Sequence, residues 1–141
     1  GTNLRKFFDE NSIDLCVSRN FLMHLSNEDL DAHLSYVQRI LREGGRYIFA
    51  TLNPDYELAK AGTPMENGQA YCFAHGKAGE YGTFYHHYRT RGFFEENLAK
   101  YFTVSAIQDC LPVSDKFRES HHRYYDSKNP MARVYVLEVK K

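Results

Sequence analysis

Ser12-Ile13-Asp14-Leu15-Cys16-Val17-Ser18-Arg19-Asn20, the run from Asn27 to Glu43, and Gly44-Gly45-Arg46-Tyr47-Ile48-Phe49-Ala50-Thr51-Leu52-Asn53 form the stretch whose reading decides the fold. Ile13 to Ser18 is short and largely apolar, the pattern of a strand buried on both faces. From Asn27 onward Leu30, Leu34, Val37, Ile40 and Leu41 recur at helical spacing and make one apolar stripe. Ser26 suits the N-cap, Glu28 and Asp29 suit the positive end of the helix dipole, and Gly44-Gly45 is expected to end the helix near Glu43. Arg46 to Leu52 then reads as a second strand, stopped by Asn53-Pro54. A strand, helix and strand in this order normally join two parallel strands and leave a ligand crevice at their carboxyl ends.

Outward from this unit, composition sets limits. The chain has 141 residues, 43% hydrophobic and 26% charged, which fits one soluble globular domain rather than a disordered segment. Lysine plus arginine equals aspartate plus glutamate at 18 each, so the charge footprint of a dedicated nucleic-acid or anionic-membrane binder is missing. A small-molecule partner fits better. Three cysteines, Cys16, Cys72 and Cys110, cannot all pair, and a reducing, cytoplasmic compartment is expected. No apolar stretch approaches the roughly 18 to 20 residues of a membrane span, and no basic-then-apolar leader opens the sequence. The first residue is Gly1 rather than methionine, from which either an engineered scar or a cut end is expected.

Residues Asp55 to Tyr88 hold Gly62, Gly68, Gly76, Gly79 and Gly82 among many aromatics, with no long helical or alternating pattern. Such an insertion, taken over 55–89, is expected to be an irregular lid or substrate-binding loop. A shorter helix is expected to begin at Thr90 or Arg91, with Phe93, Phe94, Leu98 and Phe102 as its buried side. Two more strands are expected at Thr103 to Leu111 and Ala132 to Val139. That makes four strands and two helices in a single domain, with no internal repeat.

Phe8-Asp9-Glu10-Asn11-Ser12-Ile13-Asp14-Leu15-Cys16-Val17-Ser18-Arg19-Asn20, His24-Leu25, and Val37-Gln38-Arg39-Ile40-Leu41-Arg42-Glu43-Gly44-Gly45-Arg46-Tyr47-Ile48 together resemble the second half of class I S-adenosylmethionine-dependent methyltransferases. The resemblance covers about Thr2 to Pro54 and continues more loosely through Tyr88-Arg89-Thr90 and the last strand. It implies an α/β fold, the C-terminal half of a doubly wound Rossmann-like sheet, with about four strands and flanking helices. This chain would supply the fourth to seventh strands of that sheet. The cofactor implied is S-adenosylmethionine.

The departures from the family are specific. Its glycine-rich loop after the first strand, and the acidic residue after the second that holds the ribose hydroxyls, have no counterpart here. A methyl donor carrying an adenosine needs both close backbone approach and a carboxylate for the diol. The Ile13–Ser18 strand would lie at an exposed apolar edge, so the chain is expected either to be a partial domain, inactive on its own, or to have that edge covered by a second copy or a partner chain.

By resemblance, Thr2, Asn3 and Leu4 lie along the adenine, while Ser18, Arg19 and Asn20 face the cofactor's methionine part. His24 matches a histidine of the family's corner and serves either as a base or as a packing residue. In the insertion, Tyr71, Tyr85, Tyr88 and Arg89 are candidate substrate contacts. His86 and His87 join His24 as candidate catalytic groups. The bland reading is that these aromatics pack the lid onto the sheet. His86-His87 and His121-His122 invite a metal reading, but no cysteine or carboxylate joins them at ligand spacing, and no metal is expected. Asn53-Pro54-Asp55-Tyr56 reads as a strand-ending turn.

Three functions follow from these residues: methyl transfer to a small-molecule acceptor, a non-catalytic methyltransferase-like binding or dimerisation module, and half of a nicotinamide-dependent oxidoreductase. The Gly44-Gly45-Arg46 run and the Ser18-Arg19-Asn20 corner favour the first over the third. Fold alone does not choose among them.

Overall fold

A computed structural model describes residues 7–53, 63–64, 70–74, 83–110 and 132–141, and for 63–64, 70–74 and 83–85 the backbone alone. Strand β1 (Ile13–Arg19) leads through a 3-10 turn (Leu22–His24) into helix α1 (Asn27–Ile40) and strand β2 (Leu41–Leu52). Strands β3 (Thr63–Pro64), β4 (Ala70–Ala74) and β5 (Thr83–His87) precede helix α2 (Arg91–Leu98), and β6 (Phe102–Cys110) and β7 (Ala132–Val139) follow.

The main sheet has the order β1-β2-β7-β6. β1 and β2 are parallel, with Cys16 opposite Tyr47 and Ser18 opposite Phe49. β7 runs antiparallel between β2 and β6. Both helices pack on one face. Leu30, Leu34 and Val37 of α1 and Phe94 and Leu98 of α2 share a buried cluster with Tyr47, Phe49, Tyr135 and Leu137 of the sheet. The centre is aromatic: Phe49 stacks on Tyr135 at 4.7 Å between centroids, and Phe94 meets both at 5.3 and 5.1 Å. Ser26 caps α1 by accepting the Asp29 N–H, and Thr90 caps α2 by accepting that of Phe93.

Three expectations need correction. The helix ends at Ile40, not near Glu43, and Leu41 is already extended. The carbonyls of Arg39 and Ile40 accept the N–H groups of Asn11 and Ser12, so the chain feeding β1 satisfies the end of the helix and Leu41 pairs with Ile13 instead of continuing the turn. Gly44-Gly45 therefore lies within β2 and forms its irregularity, with Gly44 at φ +73°. Second, β1 is not buried on both faces. Register places Val17 beside Ile48 and Arg19 beside Ala50 on the face away from the helices, and there Leu15 is 51% and Val17 64% exposed. Third, the insertion is not wholly irregular: β3, β4 and β5 form an antiparallel sheet in that order. Its short strands alternate too briefly, among too many glycines, for the period to show in the sequence.

Candidate functional site

The crevice side of the molecule is built where β1 ends. Asn20, at φ +51°, turns the chain out of the sheet while its N–H still donates to Ala50 O at 3.0 Å. Leu22 and Met23 then anchor the 3-10 turn in the core, which leaves His24 exposed at the end of the turn. Arg19 and Asn20 are exposed at the carboxyl end of the parallel pair, the position where open α/β sheets take ligands.

The Ser18 side chain faces the other way. Its hydroxyl lies 2.7 Å from that of Tyr47, which in turn lies 3.1 Å from His33 Nε2, and the Phe21 ring edges onto His33 at 5.3 Å. This chain runs between β1, β2 and α1, so the Ser18 hydroxyl is taken up inside the fold. Burial pushes the Tyr47 hydroxyl's pKa up and pulls that of His33 down. Neither His33 nor Tyr47 was among the sequence candidates. The available signal was a histidine adjoining Leu34 on the apolar stripe of α1, opposite a tyrosine in the next strand.

β5 lies against the 3-10 turn and brings the second half of the site. The rings of His24 and His86 meet edge to face, 4.9 Å between centroids. His86 Nδ1 shares a hydrogen bond with the Tyr88 hydroxyl at 3.2 Å. Burial first, then the neighbouring His24 and His87, pull the His86 pKa down to about 4, so that this imidazole is neutral near pH 7. His87 is lowered too, by burial and then by the Arg89 charge. As the next residue of a strand, it leaves on the opposite face from His86. Tyr88 and Arg89 are both buried. Arg89 spends its donors on the carbonyls of Leu22 and Leu25 and on Asn27 Oδ1.

His24, His86 and Tyr88 are thus brought together, with Arg89 bound beneath the corner that carries His24. Tyr71 and Tyr85 lie in β4 and β5, where Tyr71 is the register partner of His86; their side chains lie outside the described residues, as do Thr2, Asn3, Leu4, Pro54 to Tyr56 and His121-His122. Among the described residues no three His, Cys, Asp or Glu side chains converge as metal ligands. Nor is any helix among them long and apolar enough to cross a membrane.

Solved structures similar to this chain include S-adenosylmethionine-dependent methyltransferases. One from Methanosarcina mazei superposes with a TM-score of 0.72 at 14% identity over 94% of this chain and 61% of its own. Another from Mesorhizobium loti gives 0.67 at 17% identity over 93% and 63%. The 1,6-didemethyltoxoflavin-N1-methyltransferase of Burkholderia thailandensis, solved with that compound and S-adenosylhomocysteine bound, gives 0.60 at 14% identity over 98% and 48%. The chain therefore has the class I S-adenosylmethionine-dependent methyltransferase fold, spanning about half to two thirds of the length of these structures. Within that class, residues 2–49 match the methyltransferase domain family. No curated protein matches. S-adenosylmethionine, the cofactor implied by the resemblance, is also the one for which the Methanosarcina and Mesorhizobium structures are named.

Arg19 and Asn20 offer polar groups at the carboxyl end of the parallel pair, where the resemblance leads one to expect the cofactor's methionine part. The glycine loop and the ribose-binding acid have no counterpart in the sequence.

Proposed function

We propose that this chain forms the C-terminal half of a methyltransferase acting on a small molecule, with 55–89 as its substrate lid and the rest of the cofactor site supplied by residues outside this sequence. The observation that carries this reading is the meeting of His24, at the carboxyl end of the parallel pair, with His86 of the insertion. An acid–base group assembled from the core and the lid is what an acceptor docked between them requires.

When bound, S-adenosylmethionine supplies an electrophilic methyl group. The chain's own part is to orient the acceptor, exclude water and take a proton where the nucleophile carries one. His86 is neutral near pH 7 and held by Tyr88, so it orients the acceptor's proton-bearing group by hydrogen bonding, its pKa of about 4 making it a weak base. His24 stands beside it as the proton carrier. His87 takes a supporting electrostatic role, and Tyr71, Tyr85, Tyr88 and Arg89 line or shape the acceptor side. Thr2, Asn3 and Leu4 complete the adenine side by resemblance. The neutral net charge supports a metabolite-sized acceptor over nucleic acid. The free thiols of Cys16 and Cys110 support a reducing, cytoplasmic setting.

A second reading is favoured by one observation: the exposed Leu15 and Val17 on edge strand β1 suit a binding or dimerisation module. Titrating the chain with S-adenosylhomocysteine while following backbone amide resonances separates the two. Binding weaker than about 1 mM, with shifts confined to Ser18–Asn20 and the β2 end, is expected for the methyltransferase half. No shift there at saturating ligand would favour the interaction module. Micromolar binding would place the whole cofactor site in these residues and overturn the division proposed.

A further inference from the structure

Arg89 is 4% exposed, yet no carboxylate faces it among the described residues. Nη1 donates to Leu22 O at 2.9 Å and Nη2 to Leu25 O at 2.6 Å. Nε and Nη2 both reach Asn27 Oδ1 at 3.0 Å. Its Cζ stands 5.5 Å from the centre of the Phe93 ring. A buried cation satisfied only by neutral acceptors is a costly way to fasten two segments, and burial indeed pulls its pKa to about 10, still charged at neutral pH.

The placement of the acceptors explains what that cost secures. Leu22 and Leu25 bracket His24, and Asn27 opens α1. The 3-10 turn has little holding it from within: the His24 N–H donates to Phe21 O at 3.0 Å and the Leu25 N–H to Leu22 O at 3.3 Å. The guanidinium is planar and rigid, so it fixes three acceptors in one plane as no ammonium can. Arg89 itself follows β5 by two residues and His86 by three, so the chain carrying one imidazole grips the turn carrying the other.

We infer that Arg89 is a positioning residue: by clamping both ends of the turn it sets His24 against His86, and the acid–base pair exists only while the clamp is closed. The inference rests on the reading of that pair as the working group of the methyltransferase site. Nothing in the sequence pattern separates this role from a direct substrate contact; the bond geometry does.

The test uses the full chain without cofactor or acceptor, so its outcome is independent of whether methyl transfer is correct. Histidine side-chain NMR, titrated from pH 3 to pH 8, would be recorded for the wild type, Arg89→Lys and Asn27→Ala. In the wild type His86 should titrate near 4 and show ring-to-ring contacts with His24. In Arg89→Lys those contacts should vanish and the His86 pKa should rise by at least one unit, with the amide resonances of β2, β6 and β7 unmoved. Asn27→Ala, at an exposed position, keeps the cation and removes one acceptor; it should give a smaller shift in the same direction and covers the case in which Arg89→Lys fails to fold. Retention of the His24–His86 contacts and of the low pKa in Arg89→Lys, or in Asn27→Ala should Arg89→Lys not fold, would overturn the inference.

Discussion

At the scale of single residues, the two glycines of β2 serve different needs. A Cβ on Gly45 would stand 2.8 Å from Arg42 O and 3.2 Å from Ile13 O, both backbone atoms that cannot swing aside. Gly44 has open space but a φ of +73°. Gly45→Ala should cost about 1–3 kcal/mol and shift the β1–β2 register, whereas Gly44→Ala should cost about 1–2 kcal/mol with the register kept; urea unfolding and amide spectra distinguish the two. The half-buried histidines make a second prediction. His33, His86 and His87 all have folded pKa values below the ordinary value near 6.5, so the unfolded chain binds more protons in that interval. Stability should be full above about pH 6.5 and fall as the pH drops toward 4. Denaturant midpoints at pH 7.5 and pH 5 should show that loss, and His86→Gln should reduce it.

At the scale of elements, α2 shows how unequal the anchors of a short helix are. Thr90→Ala removes a cap on the Phe93 N–H and should cost about 1 kcal/mol. Phe94→Ala empties a site between Phe49 and Tyr135 and should cost about 3–5 kcal/mol, enough to threaten folding in a chain of this size. The start of α2 and the burial of Phe94 and Leu98 were legible in the sequence, though Phe102, expected on the same face, begins β6; legible too were the stripe of α1, the cap at Ser26, and strands β6 and β7 to within a residue or so. The end of α1 was not, because the groups that satisfy its last carbonyls come from Asn11 and Ser12, outside the helix. The partners of Ser18 were equally hidden. A hydrogen-bond chain through Tyr47 and His33 spans three elements and leaves no local period. Of the candidate site, His24, His86, Tyr88 and Arg89 were legible as residue types in a loop-like setting, but the meeting of the first two needed the strand β5 that glycine-rich composition concealed.

At the scale of the molecule, the helices cover one face of the sheet while Leu15 and Val17 remain open on the other. Val17→Lys should change the unfolding free energy by less than about 0.5 kcal/mol, since little is buried there to lose. It should nevertheless lower self-association of the isolated chain in sedimentation, because an apolar edge strand is the part most prone to pair with another copy. The parallel pairing of β1 with β2 was legible from the strand, helix and strand order. The antiparallel placement of β7 joins residues far apart in sequence and was not legible; the resemblance implied only that the chain supplies the fourth to seventh strands. That placement sets an order of assembly. Among the described residues β2 and β6 are joined only through β7, which follows both in the sequence. During translation the aromatic centre around Phe49 lacks Tyr135 until Ala132–Val139 leaves the ribosome, so the nascent chain must hold the β1–β2 pair and a still unpaired β6 and shield their open edges until a single late strand zips them together.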